Sequence, residues 1–321
     1  MKRTVFVLKS AQCICAAAFV CCSVMCAVCA LPEDVAKESI NTAPTAGTSQ
    51  SAGGTEDDKC ADEPTPPGEG GDIIVNVDLS TSKGPLEFSN ETGYSFDPEK
   101  ILSAGYPIEP VDGDSPAVLI LHTHATECYT EQGQDRIGDT RSPDPEKNMI
   151  AVGKVIAETL EACGVPTLHC TKMHDLESYS EAYELSCESA VDYLEKHPSI
   201  KYVLDVHRDA IGASGGGMAR AAATLGKSEI AQVMIVVGTN EGGADHPGWK
   251  TNLCVALNLQ LALDEACEGW ARPVNLRKAS FNQQYAPGSL LIEIGTCANT
   301  LEEAKSAAKL FAKCFADTIT N

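Results

Sequence analysis

Short apolar runs alternate with amphipathic stretches from residue 117 to the end of the chain. That rhythm constrains the fold more than any other feature. Strands are expected at 117–122, 165–169, 201–206, 232–237, 274–276 and 290–294, where runs are too short for helices and lie between turn signals. Helices are expected at 146–163, 181–196, 251–270 and 301–318. In the first of these, Ile150, Val152, Val155, Ile156 and Leu160 recur at helical spacing and Gly164 ends the pattern. The last has Asn299 and Thr300 as cap candidates and Glu302 and Glu303 in its first turn. Alternating strands and helices imply an α/β domain, a mainly parallel sheet covered by helices on both faces.

The chain ahead of this domain reads differently. Lys2, Arg3 and Lys9 precede an uncharged apolar run at 10–31, a pattern shared by secretory signals and membrane anchors. The run is long enough to span a bilayer, which needs roughly 20 residues, yet Ala27–Ala30 also resembles a cleavage site. Either way the rest of the chain is exported, with the basic N-terminus held inside. Residues 32–84 are acidic and poor in large apolar residues, so they read as a disordered tether, with an edge strand at 73–79. Residues 85–110 read as an arm on the main domain. The expected organisation is a signal or anchor at 1–31, a tether at 32–84 and a globular domain at 85–321.

Net charge is −21, which excludes nucleic acid as a partner because phosphate binding needs a basic surface. Of fifteen cysteines, six lie in the apolar run and the other nine show no CxxC spacing. A zinc ribbon is excluded, and pairing is not legible from spacing.

Chemistry gathers outside the carboxyl ends of strands in an open α/β sheet, and three expected strands end in suitable residues. The first runs into His122, His124 and Glu127 (HTHATE). Two imidazoles two apart in an extended segment point the same way, and zinc favours imidazole nitrogen and carboxylate oxygen. A hydrogen-bonded structural role is the alternative. The second strand runs into His207, flanked by Asp205 and Asp209, either of which is placed to orient the ring. Arg208 is a candidate grip for a substrate carboxylate, or a salt-bridge partner of those aspartates. The third contains Glu293 in an apolar context (LLIEIG), where a carboxylate is costly unless paired or used. Such a glutamate suits a general base acting on water. Asn282 and Gln283 are candidate substrate-binding amides or plain loop caps. His174-Asp175 reads as a substrate contact or a local turn. His169, His197 and His246 read as surface residues. Gly212–Gly217 lacks the spacing of a phosphate cradle, and Cys128 lacks the partners of a cysteine nucleophile.

The segments VLILHTHATECY, DVHRDA, IVVGTN followed by W..NL, and FNQQYAPGSLLIEIGTCANTLEEA occur in this order. Together they closely resemble the stage II sporulation protein P family of cell-wall hydrolases, from about Leu86 to Thr318. The resemblance implies a zinc amidase-like fold and a zinc N-acetylmuramoyl-L-alanine amidase, cutting the amide between muramic acid and the stem peptide. It also implies endopeptidase action on cross-links and a role in sporulation and engulfment. Implied partners are peptidoglycan, stage II sporulation proteins D and M, and the membrane through the N-terminal segment. Carried onto this chain, it favours His124 over His122 as the first ligand and makes His207 the later one. Glu293 becomes the base. Glu127 is the carboxylate ligand, with Glu146 as the alternative. Rival readings are another exported zinc peptidase or carboxypeptidase, and a non-catalytic wall-binding module.

Overall fold

The computed structural model describes residues 71–80 and 86–320. The expected signal or anchor and most of the tether lie outside the described residues. In chain order the elements are β1 (Ile74–Val77), β2 (Phe88–Asn90), α1 (Pro98–Ser103), β3 (Val118–Leu121), α2 (Met149–Ala162), β4 (Thr167–His169), α3 (Ala182–Lys196) and β5 (Tyr202–Asp209). There follow β6 (Met218–Leu225), β7 (Ser228–Ala231), β8 (Val233–Gly238), α4 (Trp249–Ala266), β9 (Val274–Arg277), β10 (Gly288–Thr296) and α5 (Leu301–Thr320). Seven strands form the main sheet in the order β2-β9-β8-β10-β5-β3-β4. Only β8 and β10 pair antiparallel within it. The mainly parallel α/β architecture is as expected.

Period-two alternation divides the core. Val118 and Ile120, Tyr202, Leu204 and Val206, Val233, Ile235 and Val237, and Leu290, Ile292 and Ile294 face a core shared with α2, α4 and α5. The intervening Leu119, Leu121 and Val203 pack with Ala190 of α3 on the other face. Met234, Val236 and Leu291 pack there with Phe281. Helices therefore cover both faces, three on one and α3 on the other. The start of α5 is a reciprocal capping box. Glu303 donates its N–H to Thr300 Oγ1 (3.3 Å), and Glu303 Oε2 accepts from the Thr300 N–H (3.1 Å).

Three features depart from the sequence reading. The segment after the glycine loop forms the hairpin β6–β7, and its alanine-rich strand MARAAATL has weak strand propensity. Strand β2 pairs with β9 although it is only three residues long. Strand β1 is an edge strand as expected, but it runs parallel to β6 in a second sheet, β1-β6-β7. Folded structure thus begins ahead of residue 85. Among the described residues no helix is long and apolar enough to cross a membrane.

Candidate active site

Strands β5 and β10 lie side by side in parallel, with His207 opposite Glu293 and Asp205 opposite Leu291. Because Leu204, Val206, Ile292 and Ile294 face the large core, Asp205, His207 and Glu293 share the opposite face. Beyond Glu293 the register shifts before Thr296, and Gly295 takes φ +70°. A side chain there would meet Ala231 and Asn299, so glycine makes this bulge, which ends the regular pairing beside Glu293. Strand β3 stops at Leu121, and residues 123–126 turn. The turn brings His124 beside His207, ring centroids 5.4 Å apart and edge to face. Glu127 Oε2 lies 3.6 Å from His207 Nδ1.

Polar bonds fix this arrangement from beneath. Asp205 Oδ1 is 2.8 Å from His207 Nε2, an ion-pair distance off the ring N–H axis. The same carboxylate accepts from Thr123 N–H (2.8 Å) and Thr123 Oγ1 (2.6 Å), tying the turn to β5. Asp175 accepts from the N–H and hydroxyl of Thr126. His174 bridges the His122 carbonyl and Ser189 Oγ. Glu127 accepts from the Arg208 N–H (3.2 Å), and Arg208 Nη1 lies 3.6 Å from Glu127 Oε1.

Burial sets the charges. It lowers the His124 ring to about 4 against the pull of Glu127, so that imidazole is neutral. It also disfavours a charged His207, but Asp205 and Glu127 outweigh it and raise that ring well above its ordinary value. For Glu127, burial is more than reversed by Arg208 and then His207, which hold the carboxyl well below the usual range. For Glu293, burial and then Asp209 win over His207 and push the carboxyl up to about 8.

Among the described residues no three His, Cys, Asp or Glu side chains form a closed metal cluster as they stand. The donor set still fits zinc in kind: the neutral imidazole of His124, that of His207 once a cation displaces its proton, and the ionised carboxylate of Glu127, with a second carboxyl alongside. His124 Nδ1 and Glu293 Oε2 are buried without a hydrogen-bond partner. Orphaned buried polar atoms are costly and call for an occupant.

The model of the stage II sporulation protein P family matches residues 34–316. The chain belongs to that family. Stage II sporulation protein P of Bacillus subtilis (strain 168) is 25% identical over 225 residues, covering 66% of this chain and 53% of the relative. The chain therefore spans about half the length of that curated relative. Similar solved structures include the N-acetylmuramyl-L-alanine amidase Ami1 from Mycobacterium smegmatis, with TM-score 0.39 and 11% identity over 65% of this chain and 99% of that one. Another is the catalytic domain of CwlV, an N-acetylmuramoyl-L-alanine amidase from Bacillus (Paenibacillus) polymyxa var. colistinus. Its TM-score is 0.37, with 14% identity over 64% of this chain and 96% of that one.

In this member of the stage II sporulation protein P family, His124, Glu127, His207 and Glu293 come together and other expected site residues do not. His122 keeps the strand alternation and faces the α2 side. Its Nδ1 bonds the Val206 carbonyl (2.8 Å) and its Nε2 meets His169 Nε2 (2.9 Å). The turn after Leu121 breaks the alternation that would have aligned His122 with His124. Arg208 is not placed to grip substrate. Its guanidinium is buried and donates to the carbonyls of Cys128 (3.2 Å) and Thr140 (2.9 Å). Glu146 is exposed in the loop before α2. Asp209 pairs with Arg272 (2.8 Å), leaving Asp205 as the aspartate on His207. Asn282 donates to the Tyr183 carbonyl, and Gln283 clasps the backbone of Gly238 and Val236. His246 is buried, and His169 and His197 are half-buried, so none of the three is a plain surface residue. The reading of the residues missed Tyr179 and Tyr183, whose rings lie 4.3 and 5.5 Å from that of His124. Their spacing of four ahead of and into α3 was the available signal. The eight described cysteines are free thiols, and burial pushes the Cys128 thiol up to about 11, unsuited to a nucleophile.

Proposed function

We propose that the chain is a zinc-dependent peptidoglycan hydrolase that cuts the amide between N-acetylmuramic acid and L-alanine of the stem peptide. The observation that carries this reading is the convergence of His124, Glu127 and His207 from two strand ends, with Glu293 opposite His207 in the register. Family membership supports the sporulation setting, and the motif resemblance names the bond. His124, Glu127 and His207 would hold the metal. When bound there, zinc supplies a Lewis acid for the amide carbonyl and lowers the pKa of water toward about 7.

The remaining steps belong to the protein. Glu293, which a neighbouring cation would hold ionised, takes a proton from water as the water oxygen adds to the amide carbon, and the tetrahedral adduct collapses as Glu293 gives that proton to the leaving nitrogen. Asp205 holds the His207 ring, and Arg208 holds Glu127 ionised. Burial of all four groups keeps bulk water from competing. Action on cross-links, partnership with stage II sporulation proteins D and M, and work in engulfment belong to the same proposal. So does an extracytoplasmic catalytic domain, anchored to the membrane through the N-terminal segment or released to the wall.

The test is digestion of purified sacculi by the metal-loaded protein, with and without chelator, followed by muropeptide analysis. Free stem peptides with intact glycan strands, lost on chelation, are the expected products. Trimmed peptides still joined to glycan would mean a carboxypeptidase instead. No turnover and no bound metal would mean a wall-binding module.

A further inference from the structure

His124 is the least braced member of the group. It follows the end of β3 in a turn, so no ladder fixes its backbone, and its Nδ1 has no hydrogen bond. What defines the plane of its ring is aromatic contact. Tyr179 stacks on it with centroids 4.3 Å apart and planes 14° apart. Tyr183 and His207 meet it edge-on. Tyr179 is also 39% exposed, so core packing does not account for its place.

We propose that Tyr179 is a positioning residue for zinc binding, the plate that fixes the plane of the His124 imidazole. The proposal rests on the reading of His124 as a ligand. The plate is itself secured. The Arg141 guanidinium carbon lies 4.5 Å from the centre of the Tyr179 ring, a cation–π distance. Arg141 Nη1 is paired with Asp175 (2.7 Å) and donates to Thr126 Oγ1 (3.0 Å). Asp175 in turn accepts from Thr126 in the ligand turn. Three separate loops thus close on one ring: the turn at 123–126, the segment carrying Arg141 and the segment 174–179. Zinc needs both imidazoles aimed at one point, and outer partners that orient a ligand carry about 10- to 100-fold in metal affinity. Stacking uses the ring face, which phenylalanine retains.

Chelator competition measures zinc affinity in the full chain and in Tyr179→Phe, Tyr179→Leu and Tyr285→Leu, with thermal unfolding run on each. Tyr285 is a matched control, 43% exposed and bonded toward Cys187. Tyr179→Leu is expected to weaken zinc about 10-fold or more, while Tyr179→Phe and Tyr285→Leu bind as the parent does. Parental affinity in Tyr179→Leu, or equal weakening in Tyr285→Leu, overturns the positioning role and leaves the function proposed for the site intact. A parent chain that takes up no zinc removes the site reading and the positioning role together.

Discussion

At the scale of single residues, Glu293 carries the most. With its carboxyl raised to about 8 by burial, it binds a proton in the folded chain that the unfolded chain releases near 4.5. Between those values the folded state holds the extra proton. Stability of the metal-free protein therefore falls as pH rises through that window, by up to about 1.4 kcal/mol per unit from this group. Glu293→Gln removes the cost of burying the charge. At pH 8 the metal-free variant should melt higher than the parent, and the gap should close toward pH 5. The same variant should keep zinc and lose hydrolysis by a factor of about 100 or more, which metal analysis beside a sacculus assay checks. The sequence made Glu293 and His207 legible because each interrupts an apolar strand on the face its neighbours leave. Residue patterning could not separate His122 from His124, which only the family resemblance ranked. Both follow the same strand, and only a turn, invisible to periodicity, sends them to opposite sides of the sheet. Arg208 misled for a related reason: its charge suggested substrate, but its contacts are carbonyls of loops distant in the chain.

Among elements, α2 shows how closely packing constrains the surroundings of the site. It crosses His122 and His169 at Gly153, where an added Cβ would collide with both rings. Gly153→Ala would gain about 1 kcal/mol of helix propensity but force overpacking that costs about 1–3 kcal/mol. A net loss of stability is expected, read as a lower Tm with no change in zinc stoichiometry. Strand β1 is a second case. It pairs with β6, it and Asp72 just ahead of it exchange bonds with the loop at 135–137, and Asp78 and Leu79 just after it bond the buried amide of Gln232. A chain beginning at residue 86 leaves that amide short of partners and β6 with a bare edge, so it should melt lower than one beginning at residue 71. Equal melting would show that β1 contributes little. The long helices were legible because amphipathic spacing and the expected cap at Thr300 agree with the fold, whereas the cap at Asn148, which starts α2 later than the expected residue 146, shows only in the structure. The β6–β7 hairpin was not, since alanine carries no strand signal and only the pairing reveals it.

For the whole molecule, the order of strands explains why one edge is chemical. The central neighbours β10, β5 and β3 run the same way, so Glu293 near the end of β10, His207 near the end of β5 and His124 beyond the end of β3 reach one region from segments 83 and 86 residues apart in sequence. This architecture was readable from the alternation of strands and helices, and the family from ordered motifs that the match over residues 34–316 bears out. Zinc-edge X-ray absorption on the zinc-loaded full chain tests the central claim most directly. Two imidazole nitrogens and carboxylate or water oxygen at about 2.0–2.2 Å, one imidazole being lost in His124→Ala, is the predicted result. Sulfur at about 2.3 Å, from thiols such as Cys128 or Cys297, or a shell unchanged in His124→Ala, would contradict it.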